Sequence, residues 1–416
     1  MPGYWWSRYG DFSPGVGVYP HVGQVIAHYR VKRGFRRQED LATALGCSKR
    51  VVEELEGAAS VKGPDSLERR QVLARLLRIP PALLALDWRF LMENGKPYSD
   101  EEVASRLQME DDAFTPYQNI LLMARGYLYN GGPSYIADIV DDSLERISPI
   151  AESMPEFEKE PWLEMLCRFY QLSSSFALRH LDKDKALYYT RKAIEIAAKL
   201  ENLSFLASSH YRCVRTYLDL RKYAKDEKEM LEMLINAKAE VQECLKYIEN
   251  IGPILKGNIY LIAAEVYALS SQDEIMKRKC HEWQRKAETL VYRNDDREDE
   301  TFLRLNATAL HHEKAKTRIL FGDYAEAQSE IIAARKTLNA DLLTWHANLD
   351  ITEARLYYAQ GDVEASSSMA LEAYKVAKVV QSLKEIEEIK RLWQALYEKE
   401  PSNPYVCNLG LMLELI

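Results

Sequence analysis

Residues 313–338, EKAKTRILFGDYAEAQSEIIAARKTL, and residues 352–377, TEARLYYAQGDVEASSSMALEAYKVA, superpose without a gap. Each reads helix, Gly-Asp turn, helix, because apolar residues recur at three- and four-residue spacing on both sides of a helix-ending glycine. The turn glycines, Gly322 and Gly361, lie 39 residues apart. Small residues fall at matching places: Ala315, Ala327 and Ala334 in one unit, Ala354, Ser366 and Ala373 in the next. Paired helices, and the pair stacked on them, approach closely only where side chains are small. A third segment, RFYQLSSSFALRHLDKDKALYYTRKAIEIA at 168–197, carries Ser174, Ala186 and Ala193 in the same register, with Leu181 replacing the turn glycine.

Outward from these units the helical pattern continues. Residues 203–249 and 253–292 read as two further pairs with lengthened helices, 117–150 as another, and 384–398 as a closing helix. Strand-like alternation is absent, and no β-sheet of consequence is expected. The pattern resembles the tetratricopeptide repeat, which implies an α-solenoid over residues 117–416 whose concave face is lined by the first helix of each pair. Registered on the small residue of that helix, the inward positions six before it are Arg168, Asn258 and Asn348. Three before it stand Gln171, His210 and His312; one after it stand Ser175, Glu265, Lys316 and Arg355. Arg168, Gln171, His210, Asn258, His312, Lys316, Asn348 and Arg355 are therefore the candidates for binding a peptide or protein segment. Asn and Gln offer the paired donor and acceptor that an extended backbone needs, and Arg or Lys suits a terminal carboxylate.

Upstream, residues 22–57, VGQVIAHYRVKRGFRRQEDLATALGCSKRVVEELEG, follow a different plan of short helices. Ile26, Tyr29 and Arg30 fall on one face of a first helix that Gly34 ends. Gln38 opens a second, with Leu41 and Ala42 turned inward. Gly46 makes the turn, because it adopts a backbone that residues with a Cβ resist. Ser48 is a natural N-cap for a third helix whose inner side is Val52 and Leu55. This string resembles the Cro/C1-type (XRE) helix-turn-helix, with residues 66–79 as its closing helices and residues 21–90 as the domain. The resemblance implies that the third helix enters a major groove, where Lys49, Arg50 and Glu53 reach bases. It also places Gln38 at the backbone or a nearby base, counts Ser48 among the DNA-binding residues, and makes Arg33, Arg36, Arg37 and Lys62 phosphate contacts. Glu53 and Glu54 stand where such domains usually carry small polar or basic residues. A carboxylate is costly there unless it accepts from a cytosine amino group.

The fold expected is thus all-α: an arm at 1–20, a helix-turn-helix domain at 21–90, a linker at 91–116 and the repeat domain at 117–416. The arm's Tyr4, Trp5, Trp6 and Tyr9, with Arg8 its one basic residue, are expected to pack on their own domain or a partner subunit. Residues 1–90 hold 14 Lys and Arg against 9 Asp and Glu, a balance of +5; the chain as a whole carries −8, so the remainder carries −13. A basic head on an acidic body suits a protein of which the head alone meets a polyanion. The six cysteines are scattered without metal-ligand spacing and read as buried thiols. No run of apolar residues is long enough to span a membrane, no secretory signal is expected, and the expected location is the cytoplasm.

A P-loop, a GxGxxG motif and an HExxH motif are all absent. Cys280-His281 and His311-His312-Glu313 lack the further ligands of a metal set, and Asp182 and Asp184 lack the glycine and glutamate of a calcium loop. The acidic run at 294–300 reads as a solvated loop. Neither enzyme activity nor a cofactor or metal is expected. An XRE-type head with a tetratricopeptide body resembles the RRNPP regulators, which sense secreted signalling peptides. That resemblance implies a homodimer on double-stranded DNA whose repeat groove takes a peptide. The alternative is an interaction scaffold whose head does not bind DNA. The apolar tail, YVCNLGLMLELI, is expected to cap the solenoid or to join a dimer interface.

Overall fold

The computed structural model describes residues 19–59, 66–84, 116–128, 135–154, 156–291 and 301–416, with positions 4, 6, 7, 9–16, 92, 93, 96, 97, 114, 130 and 299 besides. Trp5, Arg8, Lys62, most of the expected 91–116 linker and the acidic run at 294–300 other than Asp299 lie outside the described residues. Among those described, regular structure is helical apart from one short turn, Pro81–Leu84, a two-residue antiparallel pairing of Met92–Glu93 with Lys96–Pro97, and a bridge between Pro14 and Pro20. The fold is all-α. None of these helices is long and apolar enough to cross a membrane. The chain divides into two units: residues 1–120 with 147–165, and residues 121–146 with 166–416.

In the first unit, helix Val22–Lys32 begins at His21, whose ring accepts from the Gln24 amide, and stops before Gly34 at φ +86°. Helix Gln38–Leu45 starts where the Asp40 carboxylate accepts from the Arg37 amide at 2.9 Å and ends at Gly46, φ +64°. Helix Lys49–Gly57 follows at once. Ser48 occupies its N-cap in extended backbone, but the hydroxyl makes no capping hydrogen bond. Val25, Ile26, Tyr29, Leu41, Ala42, Val52 and Leu55 form one core with Leu73 and Leu77 of helix Ser66–Leu77. Gly23 permits the closest approach: a Cβ there would stand 2.0 Å from the Glu56 carbonyl oxygen. Trp6, Tyr9 and Phe12 of the arm are buried in this same core, and Trp6 Nε1 donates to the Phe12 carbonyl at 3.1 Å. The arm's described aromatics thus pack mainly on their own unit, while Tyr4 is exposed and stacks on Trp6.

The second unit is a succession of helical hairpins. Helix Glu156–Arg179, whose first turns belong to the first unit, continues into it and is followed by Lys183–Lys199. Then come Leu203–Arg221 with Glu227–Lys246, Pro253–Ser270 with Glu274–Glu288, Ala307–Leu320 with Tyr324–Thr337, and Leu343–Gln360 with Val363–Val379. Leu383–Lys399 and Pro404–Met412 complete it. The small residues sit at the crossings: Ala186, Ala193, Ala315, Ala327, Ala334, Ala354, Ser366 and Ala373 are all buried. One contact recurs there. Ser366 Oγ donates to the Ala354 carbonyl at 2.8 Å, and Cys280 Sγ donates to that of Ala264 at 3.3 Å. Cys280 therefore takes the small-residue place in its hairpin, which accounts for one of the four buried thiols.

Gly322 and Gly361 turn their hairpins at φ +76° and +85°, and Leu181 adopts φ +60° at the equivalent place. The residue type changed and the backbone did not. The hairpins wind until the late helices meet the early ones. Arg179 donates to the carbonyls of Leu128 and Val380, Tyr223 Oη donates to that of Lys384, and Lys222 meets Glu388 at 3.1 Å. In the tail, Val406, Leu409 and Leu413 are buried against helix Leu383–Lys399, whereas Leu411, Met412, Leu415 and Ile416 are exposed.

Candidate functional site

The first candidate surface is the start of helix Lys49–Gly57. Because Val52 and Leu55 face the core, the helical period turns Lys49, Arg50, Glu53 and Glu54 outward, and all four are exposed. Each cation there has a carboxylate beside it. Lys49 Nζ lies 2.8 Å from Glu39 and 3.5 Å from Glu53; Arg50 Nε lies 3.0 Å from Glu54. Side-chain hydrogen bonding with Glu39 raises the Lys49 pKa, and the same bond lowers that of Glu39. Arg36 is exposed, and Arg37, also exposed, reaches Asp40 at 3.3 Å.

Two other candidates are engaged inside the unit. Gln38 Nε2 donates to Glu56 Oε2 at 2.8 Å, and the same carboxylate binds buried Arg30. Arg30 in turn donates to the carbonyls of Phe35 and Arg36 at 2.7 and 2.8 Å, holding the turn between the first two helices. Gln38 is thus part of a three-helix clasp. Arg33 is held 2.7 Å from Glu160, and Lys32 lies 2.6 Å from Glu164. Sequence reading placed Arg30 inward but missed Glu56; its four-residue spacing from Val52 puts it on the inner side of the helix but does not name its partners.

The second candidate is a cavity of about 360 Å³ in the concave side of the second unit. It brings together Gln171, Asn258, His312, Lys316, Asn348 and Arg355, six of the eight expected groove residues. The other two point elsewhere. His210 turns to the second helix of its hairpin, Nδ1 lying 2.6 Å from Glu240. Arg168 lies over the rings of Phe205 and Phe302. Eight Lys or Arg side chains line the cavity against four Asp or Glu, in a chain whose net charge is −8.

The charges are arranged as a ladder. Arg215 bonds Glu265 at 2.9 Å and Glu313 at 2.8 Å, and Lys316 meets the same two carboxylates at 2.8 and 2.9 Å. Despite burial, Arg215 and Lys316 hold the Glu313 carboxyl well below the usual range. Arg355 lies 2.9 Å from Glu388, and Lys384 lies 3.3 Å from Asp219. Burial, reinforced by Lys316, lowers the His312 pKa to about 3, and its Nε2 lies 2.8 Å from Thr352 Oγ1. His312 is therefore a neutral ring at any pH near 7.

The amides donate locally. Asn348 Nδ2 donates to Thr344 O at 2.9 Å, Gln171 Nε2 to Ser209 Oγ at 2.9 Å, and Asn258 Nδ2 to Ile254 O and Arg304 O, both at 2.9 Å. Among the described residues none of the three amide oxygens accepts a hydrogen bond. They leave acceptors in a cationic cavity, the complement of a ligand with N–H donors and a carboxylate. Arg179, Lys222, Lys384 and Glu388 were missed from sequence because they belong to no shared repeat position. Comparison with known proteins finds no matching family model, no matching curated protein and no matching solved structure.

Proposed function

We propose that this chain is a sequence-specific DNA-binding transcription regulator, with a Cro/C1-type helix-turn-helix head and a tetratricopeptide-like body that dimerises and senses a peptide or protein ligand. The observation that carries the reading is the start of helix Lys49–Gly57. It follows a left-handed glycine turn, presents Lys49 and Arg50 to solvent, and buries Val52 and Leu55 behind them. In a helix-turn-helix those first residues reach base edges, with Glu53 placed to accept from a cytosine amino group. Exposed ion pairs are weak, so a phosphate array exchanges readily with Glu39 and Glu54 for the two cations. Amide oxygens and excess positive charge in the body's cavity support a peptide with a free carboxylate. Its binding acts by shifting the population of DNA-competent dimers.

The test is binding of the purified protein to the DNA upstream of its own gene over a range of salt. Affinity falls steeply as salt rises, and joint replacement of Lys49 and Arg50 by Ala abolishes sequence preference. Absence of binding to any duplex at low salt rejects the reading. A second reading, a helical scaffold whose head docks protein, is favoured by the pairing of Lys49, Arg50 and Arg37 with carboxylates of their own unit. A salt-insensitive complex with a protein partner and no DNA complex selects it.

A further inference from the structure

Before helix Ala307–Leu320 the chain passes through a short non-helical segment, Thr301–Asn306, that groove side chains grip. Arg212 Nη2 donates to the Thr301 carbonyl at 3.0 Å, and Asn258 Nδ2 donates to the Arg304 carbonyl at 2.9 Å. The Phe302 ring meets two guanidinium groups, that of Arg125 at 3.8 Å and that of Arg168 at 4.6 Å from its centroid. Leu303 and Leu305 are buried, and Leu305 fills the space above Gly257, where a Cβ would come within 2.2 Å of it. Asp299 Oδ1 accepts from the Thr301 amide and hydroxyl and from the Leu303 amide, which folds the segment. Phe302 itself sits at φ +58°, a backbone that a bulky residue resists.

These are the contacts of peptide capture: side-chain donors on main-chain carbonyls, an aromatic ring on guanidinium faces and aliphatic anchors in pockets. Asn258, a groove residue by the repeat register, gives this segment one of its hydrogen bonds, and Arg168, which lies outside the cavity, covers the Phe302 ring. Leu303, Arg304 and Asn306 also form part of the cavity wall. We infer that Thr301–Leu305 is a built-in occupant of the groove, and that the ligand is a peptide of the same pattern, aromatic, aliphatic, any residue, aliphatic, which binds by displacing it. This deepens the reading of the cavity as a peptide site and rests on it. A tethered occupant competes at an effective concentration on the order of millimolar, so it turns away weak ligands and lowers the apparent affinity of the right one. The unfavourable backbone at Phe302 makes the occupant easier to displace.

The probe is a fluorescein-labelled octapeptide with the sequence of residues 299–306, DETFLRLN, titrated by anisotropy into the full chain and its Phe302→Ala variant. The variant binds at least about tenfold more tightly than the unaltered chain, because the tethered competitor is weakened. Asn258→Leu in the same background removes the gain, and a scrambled octapeptide binds neither chain. Thermal melts verify that the variants fold; should Phe302→Ala not fold, Phe302→Gly, which adopts the left-handed backbone freely, takes its place. Equal binding by both folded chains, or none by the variant, overturns the inference. A pool of random octapeptides separates the two levels. Capture of pool members without response to Phe302 replacement overturns the built-in occupant alone, whereas capture by neither chain overturns the peptide site with it.

Discussion

His312 is buried among Lys316, Arg215 and Lys222, with Glu313 opposing them, and its pKa is pulled from 6.5 to about 3. Below pH 6.5 the unfolded chain takes a proton that the native ring refuses. The native state is therefore fully favoured above 6.5 and loses ground as pH falls toward 3. The slope due to this residue approaches ~1.4 kcal/mol per pH unit. His312→Gln removes that slope, measured by urea unfolding at several values between about pH 6.5 and 4.5; an unchanged slope in the variant shows that another group titrates. In the first unit, Glu56 binds Arg30 and Gln38 at once. Glu56→Ala leaves buried Arg30 without its carboxylate and costs about 3 kcal/mol in the same assay. Arg30 was legible in sequence as an inward residue, but Glu56 was not, because its partners lie 26 and 18 residues away on other helices.

Hairpins repeat a backbone more faithfully than a sequence. Leu181 holds the left-handed turn that Gly322 and Gly361 hold elsewhere. The Cβ makes this conformation unfavourable by roughly 1–2 kcal/mol. Gly361→Leu therefore destabilises the protein by about that amount. Leu181→Gly is neutral to stabilising by up to about 1 kcal/mol, since relief of strain exceeds the freedom gained by the unfolded chain. Calorimetric melting distinguishes the two, and equal destabilisation by both excludes a shared turn. At the hairpin crossings, Cys280→Ser keeps the donor to Ala264, whereas Cys280→Leu overpacks a closed position and costs about 1–3 kcal/mol. Glycine turns and small residues were legible because each is a local steric demand. The equivalence of Cys280 with Ser366 was hidden by a longer separation along the chain, 16 residues from its acceptor against 12.

The second unit as a whole is closed by contacts between distant hairpins. Glu388 is 4% exposed and joins Arg355 to Lys222, 166 residues away. Removing it leaves two cations facing each other, so Glu388→Ala costs about 3–5 kcal/mol. Amide hydrogen exchange then quickens most in helices Leu383–Lys399 and Pro404–Met412, where the winding opens; uniform acceleration across the unit refutes a seam. Closure converts an open groove into a cavity. Repeat register assigned six of the cavity's residues from sequence, because equivalent helix positions face one axis. It did not find that Arg168 and His210 turn away from the cavity, because their partners, Phe302 and Glu240, lie on other segments of the chain that no periodicity reveals.

By itself the sequence determined the helices, their turns and the small residues at their crossings, since all of these follow from period, backbone conformation and side-chain size within a few residues. The cavity's depth, its charge ladder and the occupant at Thr301–Leu305 were decided by tertiary structure alone. They depend on how far a stack of slightly rotated hairpins winds before its ends meet, a sum of small angles that no single stretch of residues encodes.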